Sequence, residues 1–294
     1  MKYRHTFHAG NFADVHKHVT LLALLAALKR KDKGFAYLET HAGRGLYDLS
    51  HPTDESAAGV GRFLAAAGTA RASGAAVNAM PAMAEELTAY TDLIADFRAR
   101  QNNSHAYPGS PLIAARELRG NDRAVLCEIV PAEARALERA LDGAFNVRVE
   151  QGDGFERLRA WLPPVERRGL VLIDPPYEET RQDFDRLTKA VGDALRRFQT
   201  GVIAAWYPIK DERETSSWLA SFQQAAQRET LVSELWLYPR DSRVALNGSG
   251  LLIVNPPYRI AERMAAWLPE LQGRLDVGRS GGTSIRTIAA REPA

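Results

Sequence analysis

Apolar positions follow two alternating rhythms along this 294-residue chain. From residue 12 to about 30, Val15, Val19, Leu22 and Ala26 keep the three-and-four spacing of a helix. Asn11 with Asp14 close behind reads as an N-cap with an acidic first turn, and Lys29, Arg30 and Lys31 close the helix where cations favour its carbonyl end. A short apolar run at 35–38 then ends in Glu39-Thr40-His41-Ala42-Gly43-Arg44-Gly45, a buried strand entering a glycine turn. Runs at 124–128, 147–151 and 170–174 read as further strands, separated by helical patterns, notably at 132–141. Beyond Asp174, Phe184, Leu187, Val191, Leu195 and Phe198 mark an amphipathic helix, and strands follow at 202–207, 231–237 and 251–254. This alternation predicts βαβ units, a mostly parallel sheet and helices on both of its faces.

One interval breaks the rhythm. Between Gly45 and Ala124 no strand pattern occurs, and Met83, Leu87, Tyr90, Ile94 and Phe97 repeat at helical spacing in an alanine-rich stretch. Residues of about 50–106 therefore read as a small helical insertion within a single domain of 1–294, preceded by an N-terminal arm, 1–11. The insertion ends near Tyr107-Pro108-Gly109-Ser110-Pro111, where Ser110 would cap and Pro111 would start the next helix. The single cysteine, Cys127, excludes an internal disulfide and any cysteine-based zinc cluster, so a reducing cytoplasm is the expected setting. The longest N-terminal apolar run, 19–28, is too short to span a bilayer and lacks the flanks of a signal peptide. A net charge of +2 permits a nucleic-acid partner without arguing for one.

The chemistry is concentrated in Asp174-Pro175-Pro176-Tyr177, directly after an apolar strand. The exocyclic nitrogen of adenine is a poor nucleophile because its lone pair is delocalised into the ring. A site that accepts hydrogen bonds from both N–H groups draws it toward tetrahedral geometry. The Asp174 carboxylate and the Pro175 carbonyl are suited to this, since proline lacks an N–H but keeps its C=O. Tyr177 could stack on a base removed from its helix. Asn255-Pro256-Pro257-Tyr258 repeats the pattern later. Ligands of such sheets lie at the carboxyl ends of the parallel strands near the switch point. The strand ending at Asp174 belongs there, whereas the later strand is expected antiparallel near the far edge, so its motif reads as structural. Gly43 and Gly45 let the backbone approach a ligand at the end of the first strand. Glu128, ending the second, is placed for the hydroxyls of a cofactor ribose, and Asp153-Gly154, after the third, for an adenine amino group. Each acid reads equally as a solvated loop residue. Trp206-Tyr207-Pro208 reads either as pocket wall or as core. The N-terminal His5, His8, His16 and His18 lack metal-ligand spacing. The basic, aromatic stretch with Tyr3, Arg4, His5 and Lys17 suits contact with RNA instead.

At this point the chain resembles the bacterial large-subunit ribosomal RNA adenine-N6 methyltransferases of the RlmJ type. The resemblance rests on Tyr3-Arg4-His5-Thr6-Phe7-His8-Ala9-Gly10-Asn11, Asp14-Val15-His16-Lys17-His18, Thr40-His41-Ala42-Gly43, 107–112, 167–177, Trp206-Tyr207-Pro208 and 254–258. It implies a Rossmann-like class I methyltransferase sheet with an inserted helical subdomain, S-adenosylmethionine as cofactor and no metal. It also implies methylation of a 23S rRNA adenine, in naked RNA or an early assembly intermediate. By matching position, His18, His41, Ser110, Glu128, Asp153, Gly154 and Asp174 would contact the cofactor, and Tyr3 the RNA. Arg44 departs from the smaller residue common in that turn, and if it pointed inward the methionine end of the pocket would differ. The rival readings are a DNA adenine-N6 methyltransferase, a dehydrogenase on the same fold and a noncatalytic RNA-binding module. A test of 2′-hydroxyl dependence separates the first, and nicotinamide or cofactor titration the others.

Overall fold

A computed structural model describes residues 8–72, 83–178, 180–226, 228–242, 244, 246–278 and 280–290. Helix α1 spans Phe12–Lys29 and starts as its sequence predicts, with the Asn11 side chain accepting from the Asp14 amide at 2.9 Å. Nearly every residue from Phe12 to Leu25 is buried, so α1 is not a surface helix with one apolar stripe. It lies between the sheet and helices that follow it in the chain, which is why it carries almost no exposed charge before Lys29.

The chain continues through β1 (Ala36–Glu39), β2 (Leu46–Asp48), α2 (Arg62–Ala72), α3 (Glu85–Gln101), β3 (Ala106–Pro108) and α4 (Ser110–Glu117). Then come β4 (Arg123–Glu128), α5 (Pro131–Ala140), β5 (Val147–Gln151), α6 (Gly154–Trp161), β6 (Gly169–Ile173) and α7 (Thr180–Arg197). The last elements are β7 (Val202–Ile209), α8 (Glu212–Ala226), β8 (Thr230–Trp236), β9 (Gly248–Val254), α9 (Ile260–Leu275) and β10 (Gly282–Ile288). Among the described residues eight strands form one sheet in the order β10-β8-β9-β7-β6-β1-β4-β5. Strands β5, β4, β1, β6 and β7 are parallel, and β9 runs antiparallel between β7 and β8. The chain builds outward from β1 through β4 and β5, then returns to place β6 on the other side of β1. This is the switch point at which open α/β sheets bind their ligands. The arrangement is the Rossmann-like methyltransferase sheet that the sequence led us to expect.

One apolar cluster joins α1, α5, α9 and the helices between β2 and β3 through Leu25, Phe63, Leu87, Tyr90, Leu137 and Trp267. A second covers the opposite face with Leu158, Phe184, Val191, Trp218 and Phe222 from α6, α7 and α8. No described helix is long and apolar enough to cross a membrane.

Three expectations need correction. The interval between Gly45 and Ala124 does contain strands, because β2 and β3 pair antiparallel with Tyr47 opposite Tyr107. Each has three residues, too few to show an alternating pattern. Ser110 does not cap α4: the cap position is Gly109, and the Ser110 hydroxyl points to Glu39. The strand ending at Val254 is antiparallel as expected but lies third from the sheet edge, since β8 and a further strand, β10, extend the sheet past it. The motif beginning at Asn255 keeps the structural place foreseen for it. Asn255 adopts φ 53° and donates from Nδ2 to Gln199 O at 2.9 Å and Gly201 O at 2.8 Å, at the end of the sheet opposite Asp174.

Candidate active site

Asp174 follows the last residue of β6, a strand held between β1 and β7. Its Oδ2 accepts from Lys17 Nζ at 2.5 Å, and the same ammonium donates to Asp14 Oδ1 at 2.8 Å. Asp14 in turn accepts from the Gly10 amide through Oδ2 at 2.9 Å. Burial works against the charge of Lys17, but the Asp14 and Asp174 carboxylates outweigh it and raise its pKa well above the ordinary value. Lys17 is only 4% exposed. Its expected contact with RNA is therefore corrected: α1 aims the side chain inward, three residues after Asp14, onto the carboxylate that begins the Asp-Pro-Pro-Tyr motif.

Pro175 is buried and Pro176 exposed, and Tyr177 is locked in place. The Tyr177 hydroxyl donates to Trp206 O at 2.7 Å, and the ring packs edge-on against Phe184 and Trp206. The ring is 8% exposed, so it is not the open stacking platform expected of it in this conformation. Its aromatic face is spent on bracing the motif against β7. Trp206 is only partly buried, and its Nε1 donates to Ser249 Oγ at 3.0 Å. Lys210, just past β7, donates to Tyr177 O at 3.2 Å.

The glycine turn after β1 meets the end of β4. Gly43 and Gly45 adopt φ of 64° and 76°, a region that side chains disfavour. A Cβ on Gly45 would also lie 2.7 Å from Leu137 Cδ1. The Gly43 amide donates to Glu128 Oε2 at 2.8 Å, and the Val130 amide to Oε1 at 2.8 Å. Burial raises the Glu128 pKa against these two hydrogen bonds. Beside it, Ile129 and Val130 present exposed apolar side chains. Arg44 pairs through Nε and Nη2 with both Glu133 oxygens at 2.8 and 2.9 Å, which holds its guanidinium against the first turn of α5.

Asp153 caps α6, accepting from the Phe155 amide at 2.9 Å. Its neighbour Gly154 can be nothing larger, because a Cβ there would stand 1.9 Å from Thr40 O. His41 Nδ1 lies 2.8 Å from Thr40 Oγ1, with its ring edge-on to Phe155, and burial lowers its pKa to about 4. His18 is buried, with Nδ1 at 3.0 Å from the Tyr107 hydroxyl and Nε2 at 4.0 Å from Asp14 Oδ1. The remaining described N-terminal histidines are also engaged: His8 with Glu55, and His16 with Ser249 and Ser233. The expected RNA contacts Tyr3, Arg4 and His5 lie outside the described residues.

Two further acids, Asp14 and Glu39, belong to this site. By sequence Asp14 reads as a first-turn acid of α1, yet it is half of the Lys17 clamp. Glu39, fully buried at the end of β1, accepts from Ser110 Oγ at 2.5 Å and from Tyr37 Oη at 2.9 Å. A carboxylate closing an all-apolar strand was the available signal. Burial pushes its pKa from 4.5 up to about 8. The folded state therefore holds a proton that the unfolded chain releases, and this contribution to stability is present below about 4.5 and lost as pH rises through about 8. Glu39→Gln should remove roughly a few kcal/mol of that pH dependence. Thermal melts of both proteins from pH 5 to 9 check this, and parallel curves would contradict it.

Comparison with known proteins identifies the family. The family model described as "Ribosomal RNA large subunit methyltransferase D, RlmJ" matches residues 32–288. The chain is 37% identical over 288 residues to "Ribosomal RNA large subunit methyltransferase J" of Escherichia coli (strain K12), covering 98% of this chain and 99% of that protein. It is 36% identical over 292 residues to the protein of the same name from Haemophilus influenzae, with the same coverage. Among solved structures, protein LPL1258 from Legionella pneumophila is 34% identical, covers 96% of this chain and 98% of its own, and superposes with a TM-score of 0.81. The chain belongs to the RlmJ family of ribosomal RNA large subunit methyltransferases.

Proposed function

We propose that this protein transfers a methyl group from S-adenosylmethionine to N6 of an adenine in 23S ribosomal RNA, acting in the cytoplasm on naked RNA or an early assembly intermediate. The observation that carries the reading is Asp174, aimed from the end of β6 at the switch point and clamped by Lys17. The cofactor supplies an electrophilic methyl group on a sulfonium sulfur. His18, His41, Gly43, Gly45, Ser110, Glu128, Asp153, Gly154 and Asp174 are the residues that would hold it. The donor set suits such a ligand. Two carboxylates, Asp14 and Asp174, share one ammonium and leave an excess of negative charge toward a cation. Glu128 ends a strand beside the Gly43 amide, where a ribose diol can replace or join its present partners, and Ile129 and Val130 offer apolar cover to a purine.

In this reading the target amine donates one N–H to Asp174 and the other to the Pro175 carbonyl. The two prolines hold that carbonyl still, and Lys17, a positioning residue, holds the carboxylate. No strong base is needed, because the nitrogen becomes acidic only once it is methylated. Asp174 can then take the proton and release it to water. Tyr3, Arg4 and His5, basic and aromatic in type, are read as contacts with the RNA. Residues 50–106 are read as an insertion in one domain rather than a second unit.

The test uses purified protein, methyl-labelled S-adenosylmethionine, naked 23S rRNA and DNA of matched sequence. Label in the rRNA alone is expected. Label in the DNA would make the protein a DNA methyltransferase, and label in neither would remove the enzymatic reading.

A further inference from the structure

The end of the sheet opposite Asp174 carries features that the methylation site does not use. Among the loops at that end are residues 30–34, 164–168, 199–201, 228–229 and 255–259, at the starts of β1, β6, β7 and β8 and the end of β9. Hydrogen bonds knit them together. Arg168 Nη1 donates to Lys33 O at 2.6 Å, the Asn255 amide to Glu229 O at 3.0 Å, and Asn255 Nδ2 to the loop at 199–201. These loops hold seven Lys and Arg residues against three acids, a local excess of +4 where the whole chain carries +2. One of the acids, Glu166, is already taken by Arg123.

The backbone supplies a second, independent observation. Three of the five described non-glycine residues with positive φ lie on this face: Arg167 at 54°, Asn255 at 53° and Arg259 at 61°. Asn255 tolerates that conformation and is anchored by its own side chain. An arginine gains nothing there that glycine or asparagine would not provide. Arg259 breaks two further local preferences. It occupies the N-cap of α9 without capping it, and it places a cation at the positive end of a helix, offset only by an exposed pair with Glu262. Backbone strain retained with a solvent-facing guanidinium indicates that the side chain is needed for something outside the fold. Next to Arg259, Tyr258 stands 84% exposed.

We infer that this face is a second RNA-binding surface, at which Arg167 and Arg259, with Arg30, Lys31 and Lys33, contact phosphates of the substrate rRNA away from the target adenine, and Tyr258 stacks on an unpaired base. The inference rests on the rRNA reading above. Rigid, cation-rich loops with one protruding aromatic ring match the chemistry of a phosphate backbone with accessible bases. The motif beginning at Asn255 thereby acquires a purpose. Its asparagine and prolines fix the turn that presents Tyr258 and Arg259.

The double variant Arg167→Gly/Arg259→Gly tests this with opposed readouts. Glycine relieves both strained positions, so the melting temperature should stay level or rise. Affinity for 23S rRNA should fall roughly tenfold near physiological salt, and the slope of log K against log salt should lose about 1.5, as expected for two lost phosphate contacts. Cofactor binding and kcat at saturating rRNA should not change. Unaltered rRNA affinity and salt slope would overturn the surface, as would a loss of binding matched by a loss of thermal stability. Wild-type protein that binds no 23S rRNA would overturn the substrate reading and this face with it, whereas wild-type binding that the double variant equals overturns the face alone.

Discussion

Asp174→Ala is expected to leave a protein that still binds 23S rRNA but turns over roughly a thousandfold or more slowly. The carboxylate is the charged acceptor at the end of β6, and the neighbouring proline carbonyl cannot polarise both N–H bonds of an amine by itself. Loss of a hydrogen-bond partner used mainly in the transition state lowers kcat without a matching rise in KM. The substitution should not unfold the molecule, since Asp14 still accepts from Lys17 at 2.8 Å. Single-turnover assays at saturating rRNA and cofactor, beside an rRNA-binding titration, measure the two effects separately. A variant within about tenfold of wild-type kcat would remove Asp174 from the chemistry.

The second large effect concerns stability. Lys17→Met keeps the length and apolar stem of the side chain but deletes the ammonium between Asp14 and Asp174. Removing one partner of a buried charge cluster strands the others and costs about 3–5 kcal/mol. For a chain of this size that is roughly a 10 °C fall in melting temperature. The loss should also depend on pH: without the cation two buried carboxylates face each other with no counter-charge, and the destabilisation is larger where both are ionised. In the wild type the ammonium neutralises one of them. Adding Asp14→Asn to Lys17→Met should recover much of the loss. Melts of the single and double variants at pH 5 and pH 8 decide the matter, and equal destabilisation at both pH values would contradict the clamp.

These two effects also mark where sequence reading reaches and where it stops. Asp174 could be found because a Pro-Pro-aromatic string after an apolar run is a local pattern, and the βαβ rhythm placed its strand beside the first. Gly43, Gly45 and Glu128 were legible for the same reason, as ends of strands in a known order. Lys17 was misread because one of its two partners, Asp174, lies 157 residues away, and the other, Asp14, three residues back, is equally the pattern of an exposed helix pair. Glu39 was hidden in plain sight: its two hydroxyl donors come from within its own strand and from a helix seventy-one residues on. Tyr177 shows the opposite failure. Its motif suggested an open ring, but packing against Phe184 and Trp206, both later in the chain, decided where the ring lies. The short strands β2 and β3 and the terminal β10 were missed because three-residue strands carry no period and β10, mostly polar and only partly buried, has no apolar run.

The most direct test of the central claim is the identity of the modified nucleoside. Naked 23S rRNA treated with the protein and S-adenosylmethionine would be digested to nucleosides and analysed by mass spectrometry against standards. The geometry around Asp174 and Pro175 predicts N6-methyladenosine, produced by the wild type and absent with Asp174→Ala. A methyl group on a ring carbon, a ribose oxygen or a different base would contradict the amine-acceptor role assigned to Asp174.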